Sequence, residues 1–152
     1  MLGGTSGTAP ETTHYVYDTV AGTWETAAPT PIAVVYATAA SDGRYIYLAG
    51  GNSSNLINVE RFDPVTDSWE TMPSMNAGRG GAASFFDGSR IRVVSGNLSN
   101  PLNSTESFDG SAWHFGAYLG AAYGNGVAVK AAGRLDGTGS AVTSRRGMNG
   151  PS

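Results

Sequence analysis

Acid–base, nucleophilic or metal chemistry needs histidine, cysteine or carboxylate side chains gathered at particular spacings, and few stand in this sequence. Cysteine is absent, and His14 and His114 are the only histidines. Thiolate ligands and disulfides are thereby excluded, and the two histidines have no spacing that favours a shared metal. Both are read as strand or turn residues. No Gly-x-Ser-x-Gly nucleophile elbow is present. Gly78-Arg79-Gly80-Gly81-Ala82-Ala83 fits a loose Gly-x-Gly-x-x-Ala phosphate fingerprint. That chemistry needs a preceding strand and a following helix, whose N-terminus receives the pyrophosphate. Here the segment opens a run of small strand residues instead. Asp18, Asp63 and Asp109 could in principle work as acids or bases, but each follows an aromatic residue at the head of a turn. An aspartate there accepts hydrogen bonds from nearby backbone N–H groups and starts the turn. No catalytic residue, metal or cofactor is assigned.

The elements that would position any site are short strands. Gly, Ser, Thr, Ala and aromatic residues are plentiful among the 152 residues, a composition that suits strands joined by tight turns. The net charge is −3 with both signs scattered, so neither a nucleic-acid partner nor a membrane surface is expected. No apolar run approaches the roughly 18–20 residues that span a bilayer. Met1-Leu2-Gly3-Gly4-Thr5 lacks the basic and apolar regions of a signal peptide, and no compartment is indicated. Asn52-Ser53-Ser54, Asn97-Leu98-Ser99 and Asn103-Ser104-Thr105 match the glycosylation pattern, and are read as turn composition.

An internal repeat organises the chain. Trp24, Trp69 and Trp113 are 45 and 44 residues apart. Tyr17-Asp18 before Trp24 recurs as Phe62-Asp63 before Trp69 and Phe108-Asp109 before Trp113. Asp42-Gly43 recurs at the same period as Asp87-Gly88, and more loosely as Asn125-Gly126. Independent landmarks sharing one period indicate stacked units. Each unit reads as four strands. Strand a is small and apolar: 33–37, 81–85 and 120–123. An Asp-Gly or Asn-Gly hairpin follows. Strand b covers 45–49, 91–95 and 127–131, and ends in Gly50-Gly51, weakened to Ser95-Gly96 and then Gly133. Strand c carries the aromatic-Asp pair, and strand d the tryptophan.

These residues resemble the kelch repeat, in which a strand ending in Gly-Gly precedes an aromatic-Asp-Pro turn, a Trp and a Pro-Met stretch. Gly50-Gly51, Phe62-Asp63-Pro64, Trp69 and Met72-Pro73-Ser74-Met75 carry the likeness. The resemblance implies an all-β, partial kelch-type β-propeller of four-stranded antiparallel blades. Two complete blades, 33–71 and 80–115, are flanked by half-blades at 15–26 and 120–132. Residues 1–133 form the propeller segment and 134–152 a Gly-rich, disordered tail. Trp24 and Trp69 are expected between blades, where truncation to Ala costs about 3–5 kcal/mol.

Alternating strands place the a–b and c–d turns on one rim and the b–c and d–a connections on the other. The second rim is longer and richer in side chains, with Asn52, Asn55, Asn97 and Asn100 as candidate contacts. Arg79 matches the position where kelch domains often place an arginine facing the mouth, against acidic peptides. Its aligned positions are Val34 and about Ala117, so no arginine ring forms. The function read from the sequence is a non-catalytic scaffold that binds protein or peptide through this rim. The alternative is a fragment of a carbohydrate-active or oxidase-type propeller enzyme whose active residues lie outside the chain. The copper-oxidase version uses a cysteine-crosslinked tyrosine, which this chain cannot make. Terminal half-blades also leave strand edges open, so self-association through them is expected.

Overall fold

The computed structural model describes residues 1–51, 57–97 and 100–126. Among them lie ten strands and no helix. β1 (Tyr15–Asp18) and β2 (Thr23–Thr26) form a hairpin. β3 (Thr38–Ser41), β4 (Ile46–Ala49), β5 (Val59–Asp63) and β6 (Ser68–Met72) form one four-stranded antiparallel sheet in sequence order. β7 (Ala83–Phe86), β8 (Ile91–Val94), β9 (Thr105–Phe108) and β10 (Trp113–Phe115) form a second sheet of the same order. These are the two expected blades, and β1–β2 is the c–d pair of a third. Residues 127–131, expected as strand b of the third repeat, and residues 134–152 fall outside the described residues.

Turn chemistry sets the hairpins. Asp42 Oδ1 accepts from the N–H groups of Arg44 (2.8 Å) and Tyr45 (2.7 Å). Asp87 Oδ1 accepts likewise from Ser89 and Arg90. The following glycines, Gly43 and Gly88, take φ of 96° and 107°. The aspartate therefore caps each turn from its edge, and Gly-Arg or Gly-Ser occupies the tip that the sequence assigned to Asp-Gly. Asp109-Gly110 builds this same turn between β9 and β10, with N–H donors from Ser111 and Ala112. That substitution explains why the third repeat connects strands c and d with two fewer residues.

Strand a begins later than the apolar run suggests. Residues 33–37 are not a strand: Val34 bridges Glu11, and Tyr36 has φ 60°, so the extended run starts at Thr38. Gly81, at φ 68°, delays β7 to Ala83 in the same way. Within 120–123 the structure has only an isolated bridge from Tyr123 to Leu102, and Asn125-Gly126, expected as an a–b hairpin, lies instead at the entry to strand a, where Gly126 N–H donates to Gly81 O.

The main core lies between the two sheets. Tyr47, Ala49 and Val59 of one blade meet Ile91, Val93, Phe108 and Trp113 of the next, with Met75 from the connecting loop. The indole N–H of Trp69 donates to the Ala28 carbonyl at 2.9 Å, just past β2. That of Trp113 donates to the Pro73 carbonyl at 2.9 Å, just past β6. Each of these tryptophans thus ties strand d of its own blade to the end of strand d before it. Trp24 behaves differently. It is 62% exposed and touches the ring of Tyr17 at 5.1 Å. The inter-blade role expected for Trp24 is corrected accordingly: no preceding strand d lies among the described residues to cover it.

Candidate functional site

The rim formed by the b–c and d–a connections is braced by a rung that recurs in every repeat. Gly4 N–H donates to Val34 O, Gly51 N–H to Arg79 O, and Gly96 N–H to Tyr123 O, at 2.9, 2.9 and 3.0 Å. The residue before each donor, Gly3, Gly50 or Ser95, closes onto strand c through Thr13, Asn58 or Ser104. All six corner residues have positive φ. Gly3-Gly4 is thus a further Gly-Gly corner, beyond those at Gly50-Gly51 and Ser95-Gly96. Ser95, at φ 61°, adopts at a cost the left-handed backbone that Gly50 takes freely. At Gly3 and Gly96 a side chain is excluded sterically too: a Cβ would stand 2.5 Å from Val34 O in the first and 2.9 Å from Ala82 Cβ in the second.

The rungs also fix the alignment of the d–a loops. Tyr123, and not Ala117, is the third-repeat counterpart of Val34 and Arg79. Arg79 is not a mouth-facing anion contact. It is 1% exposed, and all of its N–H groups point at protein acceptors. Nη1 donates to Ser95 O (2.6 Å) and Ser104 O (2.9 Å). Nη2 donates to Ser104 Oγ (2.8 Å) and Glu106 Oε1 (3.1 Å), and Nε also faces Glu106 Oε1. Glu106 is fully buried and accepts in addition from Asn76 N–H, Asn76 Nδ2 and Ala77 N–H. At this point of strand c the d–a loop delivers a cation to the buried Glu106 carboxyl.

Glu60 holds the matching position in β5 and is also buried, at 3% exposure. Its loop partners at the Asn76 and Arg79 positions are Pro31, which has no N–H, and Val34, which has no charge. Among the described residues its carboxylate receives only the Thr71 hydroxyl (2.9 Å). Burial therefore pushes the Glu60 carboxyl above its ordinary range, with the Thr71 hydrogen bond opposing.

The remaining candidate residues fall into two groups. Asp18, Asp63 and Asp109 sit on the opposite rim. Asp18 accepts from Val20 and Ala21 N–H, and Asp63 from Val65 N–H and the Arg44 guanidinium. Those hydrogen bonds hold all three carboxyls below the usual carboxylate range. His114 lies on Asp109 at 2.7 Å. His14 is buried edge-on to Phe62 and Trp69, and burial lowers its pKa. No group of three potential metal ligands occurs among the described residues. On the longer-looped rim, Asn97 has φ 68°, donates its N–H to Gly80 O (2.7 Å) and accepts from Asn100 N–H. Asn100 is exposed. Asn52 and Asn55 lie outside the described residues. Where strands a begin, Tyr36, Ala37, Gly81, Ala82, Asn125 and Gly126 line an open cleft of about 480 Å³.

Repeated four-stranded antiparallel blades, stacked through strand a and clamped at a common corner, define a propeller segment. Residues 33–76 match the kelch motif, and the fold of the described residues is that of a propeller segment. The solved structure of YjhT superposes with a TM-score of 0.68 at 12% identity, covering 78% of this chain and 42% of that one. The chain thus spans less than half the length of that relative. No curated protein matches it.

Proposed function

We propose that this chain is a non-catalytic recognition scaffold that binds protein or peptide through the rim of b–c and d–a loops. The observation that carries the reading is the braced rim. Three backbone rungs fix the d–a loops against the Gly-Gly corners, and the Arg79–Glu106 pair anchors one of them from beneath. Loops held this way lose little further conformational freedom on binding, which favours affinity. The carboxylates of the opposite rim are engaged in turn capping, so they hold structure rather than protons in transit. Kelch repeats generally mediate protein contacts, in agreement with this role. Selection from a random displayed-peptide library tests it. Enriched peptides should lose binding to Asn100→Lys and keep it with Arg44→Ala, which alters only the other rim. Failure to enrich any peptide, or sensitivity to Arg44→Ala alone, refutes the proposal.

A further inference from the structure

Tyr36 stands where the next repeat has glycine. Gly81 N–H donates to Tyr36 O at 2.7 Å, and Gly126 N–H donates to Gly81 O at 3.1 Å. The three residues are equivalent rungs between neighbouring blades. Tyr36 has φ 60° and Gly81 φ 68°. Glycine takes that left-handed conformation freely, whereas a side chain brings Cβ against the following carbonyl. The strain is not returned by packing, because Tyr36 is 60% exposed. Among the described residues its ring meets no other aromatic ring and its hydroxyl has no hydrogen-bond partner. A backbone outlier carrying a large, exposed side chain is a pointer to function.

The surroundings of Tyr36 say what it would meet. Among the described residues the cleft has a floor of Ala37, Gly81, Ala82 and Gly126 and no charged lining residue, and its polar side-chain group beyond the tyrosine hydroxyl is the Asn125 amide. That amide lies directly over Gly81: a Cβ there would come within 2.1 Å of Asn125 Oδ1. Glycine at 81 is what lets the amide sit on the cleft floor.

An aromatic wall, a flat floor of small residues and one amide suit an extended segment whose side chains are rings and whose carbonyls lack internal hydrogen bonds. Polyproline II chains have both properties, and aromatic-lined grooves take them with little entropy loss. We infer that Tyr36 and Asn125 form a subsite for an uncharged, proline-containing stretch of an extended peptide. A proline ring stacks on Tyr36, and Asn125 donates to a peptide carbonyl. The inference rests on the peptide-binding role proposed above and gives its ligand a chemistry. With Arg79 buried, that ligand is neutral at this point of the rim instead of acidic.

The test uses a fluorescein-labelled decaproline, with an alternating Glu-Ser decapeptide and a neutral oligosaccharide as comparators. Decaproline should bind saturably. Tyr36→Gly should weaken it about threefold to tenfold, the equivalent of one aromatic stacking contact. Tyr36→Phe should stay within about twofold, because the ring face is kept. Tyr36→Gly should melt no lower than the parent chain, since it relieves the backbone. A fall in Tm beyond about 4 °C would make the ring a packing element and overturn the inference. Equal decaproline binding by Tyr36→Gly also overturns it, as does oligosaccharide binding that Tyr36→Gly abolishes. If decaproline fails while selected peptides still bind the rim, this subsite falls and the peptide-binding role stands. If no peptide of any kind binds, both fall.

Discussion

Replacing Arg79 with Ala should be among the most damaging single changes in the protein, although Arg79 stands in a loop. The side chain is buried at 1% exposure, and the carboxylate it faces is fully buried. Removing it leaves the buried Glu106 carboxyl with Asn76 and Ala77 as its remaining donors. Ser95 O loses its guanidinium contact at the same time. Breaking a buried pair from one side costs about 3–5 kcal/mol, because the surviving charge keeps its desolvation penalty. For a chain of this size the loss corresponds to a Tm lowered by roughly 6–20 °C. Urea denaturation followed by tryptophan fluorescence gives the difference from midpoints at constant slope. A double variant, Arg79→Met with Glu106→Leu, separates pairing from bulk. It should recover part of the loss, but not all, because the Asn76 and Ala77 N–H groups then go unanswered. An Arg79→Ala effect below about 1 kcal/mol would mean the guanidinium is solvated and the clamp does not exist.

The tryptophans should separate by environment despite their shared repeat position. Trp113→Ala should cost about 3–5 kcal/mol as a buried aromatic truncation, while exposed Trp24→Ala should stay near 0.5 kcal/mol or less; similar melting shifts for both would contradict the inter-blade assignment. Glu60 gives a pH signature. A carboxyl raised by burial is fully compatible with folding while protonated and loses stability as pH rises through its folded pKa. Glu60→Gln should therefore raise Tm near pH 7 and make little difference near pH 4, and a pH-independent effect would refute the unpaired-acid reading. The β1–β2 hairpin exposes Tyr15, Val16, Tyr17 and Trp24 together, so light scattering after size exclusion is expected to show species larger than a monomer. A monodisperse monomer would overturn that expectation.

The fold was legible because its signals repeat. The aromatic-Asp pairs, the Asp-Gly turns and the tryptophans share a period, and each has a local physical role that does not depend on distant partners. The corner at Gly3-Gly4 was equally available, since Leu2-Gly3-Gly4 copies Ala49-Gly50-Gly51. A longer connection follows it, and the tryptophan of its repeat lies 20 residues further on, so the period alone does not mark it. The role of Arg79 was less accessible. Its partner Glu106 repeats Glu60 two residues before the aromatic-Asp pair, but its neighbours Ser104, Thr105 and Ser107 are polar and carry no sign of burial. Which cation meets it depends on how a d–a loop crosses a corner, which spacing does not encode. Tyr36 was hidden for a related reason: an apolar run of Ala, Val and Tyr reads as strand, and only the inter-blade rung to Gly81 shows the left-handed backbone.

An amide NMR titration of the chain with a peptide selected for binding tests the central claim most directly. The account predicts saturable shifts at Tyr36, Ala37, Gly81, Asn97, Asn100 and Gly126, on the rim of b–c and d–a connections. The turns at Asp42–Tyr45 and Asp87–Arg90, on the far rim, should remain unmoved. Shifts concentrated at those far turns, or none anywhere at saturating peptide, would contradict it.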